Sequence, residues 1–168
     1  MAEPRFPWHS GGADVEGPYR YRLWREWAPE LGRCCFVMLN PSTANAEQDD
    51  PTIRRCIRFA TDWGFGRLDV VNLYALRSTN PKALRSHHDP TGPRNDEAIR
   101  EAVHGATVVA AWGAGHRSPH RVEQVLSLIE PLEPVHALGF TASGAPRHPL
   151  YVAAITRSVP WRARWRKT

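Results

Sequence analysis

Four short runs of consecutive apolar residues, separated by segments with helical spacing, constrain the fold of this chain most strongly. The runs are CCFVML at 34–39, LDVVNL at 68–73, TVVAAW at 107–112 and VHAL at 135–138. A strand that is apolar at nearly every position is typically buried on both faces, as in the centre of a parallel sheet. The pattern therefore predicts an α/β fold, a three-layer α/β/α sandwich with a mainly parallel central sheet.

Three segments between these runs have the spacing and the starting signals of amphipathic helices. They begin at Asp50-Pro51, Asn95-Asp96 and Ser118-Pro119. Asp50 and Ser118 can cap a helix, and a proline at the first helical position follows each of them. Because each helix then links two strands, we expect right-handed crossovers with helices on both faces of the sheet.

The two ends of the chain differ in composition from its centre. Residues 1–18 are rich in glycine, proline and polar side chains, so we expect a flexible N-terminal segment. Residues 19–27 alternate with the period of a strand, and the short turn after them predicts antiparallel pairing with 34–39. The chain is thus divided into this segment, a single α/β domain at 19–156 and a basic tail at 157–168.

Length and composition exclude several classes of protein. The chain has 168 residues, 42% hydrophobic and 23% charged, which is ordinary globular usage rather than that of a disordered chain. No apolar run approaches the roughly 20 residues that span a bilayer, and no secretory signal is evident. The three cysteines have no metal-type spacing, and His87-His88-Asp89 lacks a further ligand at helical spacing. We therefore expect a cytoplasmic monomer with no metal, cofactor or membrane contact.

The positive charge of the chain is concentrated in the tail. Residues 157–168 carry five basic side chains and no acidic one, which accounts for the whole net charge of +5. Trp161 and Trp165 lie among these residues, and arginine beside an indole suits a phosphate backbone and a stacked base. The phosphate-binding candidates of the tail are Arg162, Arg164 and Arg166. The alternative is a solubilising terminus whose tryptophans pack on the body of the protein.

Polar residues and glycines follow the predicted strands. The carboxyl ends of parallel strands meet at one edge of a sheet, and ligands bind outside that edge. The residues placed there are Asn40, Asn72, Gly113, Gly115 and His148. A carboxamide offers an acceptor and two donors in one plane, which suits the edge of a base. The sequence therefore predicts a polar pocket at this edge.

Each of these residues also has a purely structural interpretation. Asn40 precedes a proline, a pair that favours turns, and Asn72 can tie two loops together. Gly113 and Gly115 can be turn glycines, and His148 can be a hydrogen-bonded structural histidine. Their joint placement at strand ends is the more informative observation.

Several reaction classes lack their sequence signatures in this chain. No Ser-His-Asp signature, phosphate-binding P-loop or GxGxxG dinucleotide turn is present. Acyl transfer, nucleoside triphosphate hydrolysis and hydride transfer are therefore set aside. An enzyme with this sequence would use a small polar pocket without a metal or a strong nucleophile.

The ordered motifs of the chain resemble a bacterial family catalogued as domain of unknown function 1643. The motifs are MLNPSTA at 38–44, DDPT at 49–52, VNLYA at 71–75, AWG at 111–113 and RHPLY at 147–151. The resemblance covers roughly residues 19–161 and implies no activity.

A more distant resemblance links the chain to the uracil-DNA glycosylase superfamily, whose members have a three-layer α/β fold. Asn40-Pro41 is similar to the Asn-Pro pair of the first motif of that superfamily, and His148-Pro149 is similar to the His-Pro pair of its second motif. Asn72 stands where several members place an asparagine that reads the base. Met38, Ser42 and Leu150 depart from the two motifs, at positions where members carry glycines or serine.

The resemblance implies a DNA glycosylase that flips a deaminated, uracil-type base and excises it by water attack on the N-glycosidic bond. In this hypothesis Asn40 orients the water, His148 donates to the leaving base and Asn72 reads the base edge. The candidates for stacking on the base are Phe65, Tyr74 and Phe140. The candidates for contacting phosphate in the body of the protein are Ser42, Thr43, Gly113, Gly115 and Arg147.

The expected partner is single- or double-stranded DNA with a damaged base, and two other functions stay open. One is a non-catalytic nucleic-acid-binding module, which the altered motif positions favour. The other is a protein that binds a free nucleotide or a small metabolite in the same pocket.

Overall fold

The computed structural model describes residues 8–115 and 117–161 and has an α/β fold built on a mixed sheet of seven strands. The strands are β1 (Ser10–Glu16), β2 (Tyr19–Glu26), β3 (Arg33–Met38), β4 (Arg67–Asn72), β5 (Thr107–Ala110), β6 (Val135–Ala137) and β7 (Val159–Pro160). The helices are α1 (Pro51–Asp62), α2 (Ala83–Ser86), α3 (Asn95–Val103) and α4 (Pro119–Ile129), with 3-10 turns at Pro29–Leu31 and Pro149–Tyr151. The strand order is β1-β2-β4-β3-β5-β6-β7.

The four apolar runs form the parallel centre of the sheet, as predicted. β3 pairs in parallel with β4 on one side and with β5 on the other, and β5 pairs in parallel with β6. Within this centre, Val37 of β3 lies in register with Val71 and with Ala110. The carboxyl ends of these strands therefore lie at one edge of the sheet.

Alternate side chains of the central strands pack into two hydrophobic clusters, one with each set of helices. The cluster with α1 contains its residues Ile53, Cys56, Ile57, Phe59 and Ala60. The cluster with α3 and α4 contains Ile99, Ala102, Val103, Val125, Leu126 and Ile129. Phe36 belongs to the first cluster and Val37 to the second, so the two clusters lie on opposite faces of the sheet. Each fully buried aliphatic or aromatic side chain of this kind contributes about 1.5–3 kcal/mol.

The predicted helix starts at Asp50 and Ser118 are confirmed. The Asp50 carboxylate accepts a hydrogen bond from the backbone N–H of Ile53, and the Ser118 hydroxyl accepts one from that of Arg121. In both helices proline follows the cap. These contacts satisfy N–H groups that the first turn of a helix leaves without an internal partner.

The predicted antiparallel pairing of residues 19–27 with residues 34–39 is wrong. β2 pairs antiparallel with β4, with Leu23 opposite Val70, because β3 is already hydrogen-bonded on both sides. After β2 the chain crosses over the start of β4. There the backbone N–H groups of Trp27 and Ala28 donate to the Gly66 carbonyl. A Cβ atom at Gly66 would lie 1.5 Å from the Ala28 carbonyl oxygen, so this crossing requires glycine.

Both predicted ends of the domain also need correction. Within the segment predicted to be flexible, Ser10–Glu16 forms β1, which pairs antiparallel with β2. Its glycines permit close packing, since a Cβ atom at Gly12 would lie 2.4 Å from the Trp24 ring. Within the predicted tail, Val159–Pro160 forms β7 against β6, so the boundary at residue 157 is too early. Residues 1–7 and 162–168 lie outside the described residues.

The three cysteines are free, buried thiols. Burial raises the pKa of each of them, which disfavours the reactive thiolate. Within the part of the chain that the structure describes, no helix combines the length and the apolar character that crossing a membrane requires.

One buried carboxylate joins three neighbouring strands. Asp69 of β4 is fully buried, and its oxygens lie 2.8 Å from Arg22 of β2, 3.3 Å from Arg33 of β3 and 3.0 Å from Arg67 of β4. The three arginines are partly exposed, so their charges are solvated while the carboxylate depends on them. Asp69 therefore links β2, β4 and β3 by ion pairs in addition to their backbone pairing.

Asp69→Asn removes the buried charge and puts an amide nitrogen in place of one of the two acceptor oxygens. Because the three arginines stay partly solvated, we expect the loss of charge-assisted hydrogen bonds alone, about 1.5–3 kcal/mol in the free energy of unfolding, measured by urea denaturation. Asp62→Asn is the matched control, since Asp62 pairs with Arg58 on an exposed helix face and should change stability by less than about 0.5 kcal/mol. Equal losses in the two variants would contradict this role for Asp69.

Candidate functional site

A cavity of about 240 Å³ lies at the carboxyl ends of β3, β4 and β5. Asn40, which follows β3, Asn72, which ends β4, and His148, which precedes the second 3-10 turn, all line it. The structure thus brings together three side chains from distant parts of the chain. The crossovers of the parallel sheet explain this meeting, because they return each strand end to the same edge.

Asn72 is buried in the cavity wall without a partner for its side chain. It is 1% exposed, and neither Nδ2 nor Oδ1 makes a hydrogen bond with any described residue. The expected link between loops is made instead by Asn95, whose Nδ2 donates to the backbone carbonyls of Asn72 and Leu73 at 3.0 and 3.2 Å. Leaving a buried amide unpaired costs about 1–3 kcal/mol. A ligand that hydrogen-bonds to the Asn72 carboxamide would remove this cost, which the contacts of the fold do not.

Asn95 starts α3, as the sequence predicts, and it also has a second role. Asn95 is fully buried as the first residue of α3 and directs its amide to the end of β4. It therefore fixes the backbone that carries Asn72.

The two polar atoms of the Asn40 side chain differ in their contacts. Its Nδ2 lies within hydrogen-bonding distance of the carbonyls of Pro41, Leu76 and Ser78, at 3.0, 3.3 and 3.0 Å. These contacts tie the end of β3 to the segment at 76–78, so Asn40 has a structural role, but the role is a long-range link and not a local turn. No hydrogen bond within the described part of the chain engages Oδ1, which leaves one acceptor at the cavity wall.

His148 is held in one tautomer by its own turn. Its Nδ1 accepts a hydrogen bond from the backbone N–H of Leu150 at 3.2 Å, so the proton of the neutral ring lies on Nε2. Burial lowers the pKa of His148, and the charge of Asp50 only partly opposes that shift. At neutral pH the side chain is thus an uncharged ring with one donor, the Nε2–H group.

Two charged residues that the sequence analysis did not assign to the site, Arg20 and Asp50, also line this cavity. Arg20 of β2 is 2% exposed and donates from Nη1 to the Ala44 carbonyl at 3.0 Å, and its Nε has no partner among the residues that the structure describes. Burial lowers the pKa of Arg20 to about 10, and the nearby Asp50 opposes the shift. The Asp50 carboxylate, besides capping α1, accepts from the Ala44 N–H at 3.3 Å.

A second recess of about 330 Å³ adjoins the cavity and shares part of its wall. The residues that line both are Leu39, Trp112, His148 and Tyr151. The recess also contains Gly113, Gly115 and Arg147, three of the candidates for phosphate contact. Arg147 is exposed, and its guanidinium group makes no hydrogen bond or ion pair with the residues that the structure describes.

The remaining phosphate candidates are divided. Ser42 lines the cavity rather than the recess, and Thr43 is exposed and lines neither of them. Arg162, Arg164 and Arg166 lie outside the described residues. Trp161 packs on the body, with its ring 5.4 Å from that of Trp112, which agrees with the structural alternative for this tryptophan.

The three predicted stacking residues line neither the cavity nor the recess, so this prediction is corrected. Phe65 precedes β4 and thus lies at the opposite edge of the sheet. Tyr74 is buried, and its hydroxyl accepts from the Ser118 N–H at 3.1 Å. Phe140 packs edge-on against Trp161, with 5.6 Å between the ring centres.

The aromatic residues at the site are Trp112 and Tyr151, which the sequence analysis did not single out for this role. Trp112 is 2% exposed and its indole N–H has no partner in the described part of the chain, whereas Tyr151 is 79% exposed. The Tyr151 ring lies 5.5 Å from that of His148. Both residues belong to motifs that carry the family resemblance, AWG and RHPLY, and this was the available signal.

The model of the family described as protein of unknown function (DUF1643) matches residues 20–150. No curated protein and no solved structure matches the chain. The matched range runs from Arg20 to Leu150 and so contains Asn40, Asn72 and His148. Among residues 8–115 and 117–161, no group of three or more His, Cys, Asp or Glu side chains is placed to hold a metal ion.

Asn72→Leu and Asn95→Leu should have opposite effects on stability. The first removes an amide without partners, so the free energy of unfolding should stay the same or rise by up to about 2 kcal/mol. The second removes two hydrogen bonds to the end of β4 and should lower it by about 1–3 kcal/mol. Urea denaturation at neutral pH measures both, and a large loss in Asn72→Leu would mean that Asn72 is structural.

His148 should make stability depend on pH. Because the folded-state pKa lies below the ordinary value of about 6.5, the unfolded chain binds the proton first as the pH falls. The contribution of the neutral ring is complete above pH 6.5 and is lost as the pH falls towards the folded-state pKa. His148→Asn keeps an acceptor for the Leu150 N–H but does not titrate, so it should lose less stability than the unmodified protein between pH 7.5 and 5. Equal losses in urea denaturation would contradict this.

Proposed function

The chain belongs to the family described as protein of unknown function (DUF1643), and we propose that it acts as a DNA glycosylase-type hydrolase. In this proposal the cavity receives one flipped-out, uracil-type base, and water attacks the bond between that base and its sugar. The observation that carries the proposal is the buried Asn72 carboxamide, which has no partner among the described residues and shares a cavity with Asn40 and His148.

The charge of the cavity favours a polar base, which acquires at most one delocalised negative charge, over a phosphate group, which carries up to two. Arg20 contributes one positive side chain and Asp50 one negative side chain, and His148 is neutral at neutral pH. An added phosphate would leave an excess of negative charge close to Asp50 in a poorly solvated space. A base is uncharged and presents donors and acceptors along its edge, to which the Asn72 amide is complementary.

The adjoining recess supports a base that is still attached to a nucleic acid. Arg147 offers an exposed guanidinium group that has no partner in residues 8–115 and 117–161, which suits a phosphate of the backbone. Gly113 has φ +75°, so the chain there takes a path that glycine adopts most readily. A nucleotide with its base in the cavity and its phosphates in the recess would occupy both spaces.

The aromatic residues add a stacking surface at the junction of these two spaces. Tyr151 is exposed there, and Trp112 forms part of the shared wall. A base that leaves a duplex loses its stacking partners, and an aromatic ring replaces them at a gain of about 1–3 kcal/mol per base. In the proposal these two residues take the role that the sequence assigned to Phe65, Tyr74 and Phe140.

The reaction divides the work among the polar residues of the cavity. The electron pair of the breaking C1′–N bond passes to the base, and the water oxygen forms a bond to C1′. Asn40 Oδ1 accepts a hydrogen bond from the water and orients it, while the Nε2–H group of His148 donates to an oxygen of the departing base. Asp50 is a second acceptor for the water, and it is the only carboxylate among the described residues that line the cavity.

The finer fold assignment is part of the same proposal. With α1 on one face of the sheet and α3 and α4 on the other, we assign the domain to the three-layer type of the uracil-DNA glycosylase superfamily. The Asn40-Pro41 and His148-Pro149 pairs, which resemble the two motifs of that superfamily, support the assignment by lining the same cavity through Asn40 and His148.

The test is release of bases from single- and double-stranded DNA that contains uracil, hypoxanthine or xanthine, detected as strand scission after alkali. We expect scission with at least one base, and a loss on the order of 10²–10³-fold in His148→Asn, since one donor to the developing charge is removed. His87→Asn is the matched control, because His87 Nδ1 also accepts from a backbone N–H two residues ahead but lies outside the cavity.

The outcomes of this assay separate the candidate functions. Scission with no base would overturn the proposal. Salt-dependent DNA binding without scission would indicate a non-catalytic nucleic-acid-binding module. Stabilisation by free nucleotides alone would indicate a small-molecule binder.

A further inference from the structure

Arg20 is the least satisfied buried charge in the described part of the chain. It is 2% exposed, its Nη1 donates to the Ala44 carbonyl, and its Nε has no partner. No carboxylate lies within ion-pair distance of it, although the charge of Asp50 acts on it from further away. A buried guanidinium with an unused donor is costly, and its side chain lines the cavity.

Arg25 shows how a structural arginine on the same strand is satisfied. It is fully buried, and its Nε donates to the Asp49 carboxylate at 2.8 Å. Its other nitrogens donate to the carbonyls of Trp24, Asn45 and Gln48. Arg20 lacks such a set of acceptors at Nε, so its position is not explained by packing of the fold alone.

A ligand in the cavity can supply the missing acceptor. Arg20 comes from β2 and Asn72 from β4, which are neighbouring strands of the sheet, and both line the same cavity with unpaired side-chain groups. The Asn72 amide can match one carbonyl and the adjacent ring N–H of a base, and a second carbonyl remains to be recognised. A guanidinium N–H group is a strong donor to such an oxygen.

This inference rests on the proposed function: we propose that Arg20 is a further catalytic residue, which donates from Nε to a carbonyl oxygen of the bound base and stabilises the negative charge that the base acquires on leaving. As the C1′–N bond breaks, its electron pair passes into the ring and is shared with the carbonyl oxygens. The water oxygen bonds to C1′, its proton passes to solvent, and the released base is protonated from solvent afterwards.

The role of Arg20 defines the class of base. An oxygen must face Arg20 Nε, because an amino group there would place a donor against a donor. Bases that carry a carbonyl at this place, such as uracil and xanthine, satisfy both Arg20 and Asn72. The charge on Arg20 further favours rings that readily bear a negative charge.

The first experiment compares the binding of free uracil and free 5-fluorouracil to the full chain between pH 7 and 9. Fluorine is close to hydrogen in size but makes the ring N–H groups more acidic, so the second ligand becomes an anion within this range. Since the pKa of Arg20 is about 10, the guanidinium stays protonated. We expect the affinity for 5-fluorouracil relative to uracil to rise by about tenfold or more across this range, as for a hydrogen bond between charged groups.

The second experiment repeats the titrations with Arg20→Met, which keeps an unbranched apolar stem as far as the Nε position but removes the charge and the donors. The preference for the ionised ring should disappear. Arg22→Met is the matched control, because Arg22 lies on the same strand, pairs with Asp69 and does not line the cavity. It should lose stability and keep the preference.

The outcomes distinguish this inference from the proposed function. A protein that binds both ligands with no preference for the ionised ring, or that binds neither, overturns the inference even if Arg20→Met does not fold. Base release from DNA at an unchanged rate in Arg20→Met overturns it while the proposed function stands. If the preference depends on Arg20 but no base is released from DNA, Arg20 binds the ligand as proposed. The proposed function and the catalytic role of Arg20 are then both overturned.

Discussion

The site depends on two buried arginines of β2 that hold the segment between β3 and α1 in place. Arg25 donates to the Asp49 carboxylate and to two carbonyls of this segment, and Arg20 donates to a third. The segment has no regular secondary structure of its own, yet it carries Asn40 at its start and Asp50 at its end. Because a backbone carbonyl gains more from a charged donor than from a neutral one, these contacts substitute for the hydrogen bonds of a helix or strand.

The fold could be predicted from the sequence where the signal is local, but not where it depends on contacts between distant segments. The apolar runs gave the parallel centre correctly, since strands buried on both faces leave a local signal that needs no knowledge of their neighbours. The pairing of β2 was predicted wrongly because a short turn says nothing about which edge is free, and β3 has no free edge. The glycines of β1 suggested flexibility, although Gly12 is required by the Trp24 ring, a contact between strands.

The candidate site likewise contains residues that the sequence identified and residues that it did not. Asn40, Asn72 and His148 were identifiable because each follows a strand or stands in a recognisable motif, and parallel topology brings strand ends together. Arg20 could not be identified, because an arginine in an alternating strand is ordinarily a solvated residue. The predicted stacking residues do not line the cavity. The position of an aromatic residue along the chain is read from the sequence, but the side of the sheet that it occupies is not. Tyr74 thus follows β4 but turns its hydroxyl to Ser118.

The contacts of Asn40 restrict what evolution can place at this position. An aspartate would be the better base for activating water, and it differs from asparagine by one group only. Here that group is the amide nitrogen, which faces the carbonyls of Pro41, Leu76 and Ser78. A carboxylate oxygen would repel all three carbonyls, so a lineage could gain a stronger base at residue 40 only after rebuilding the neighbouring loop.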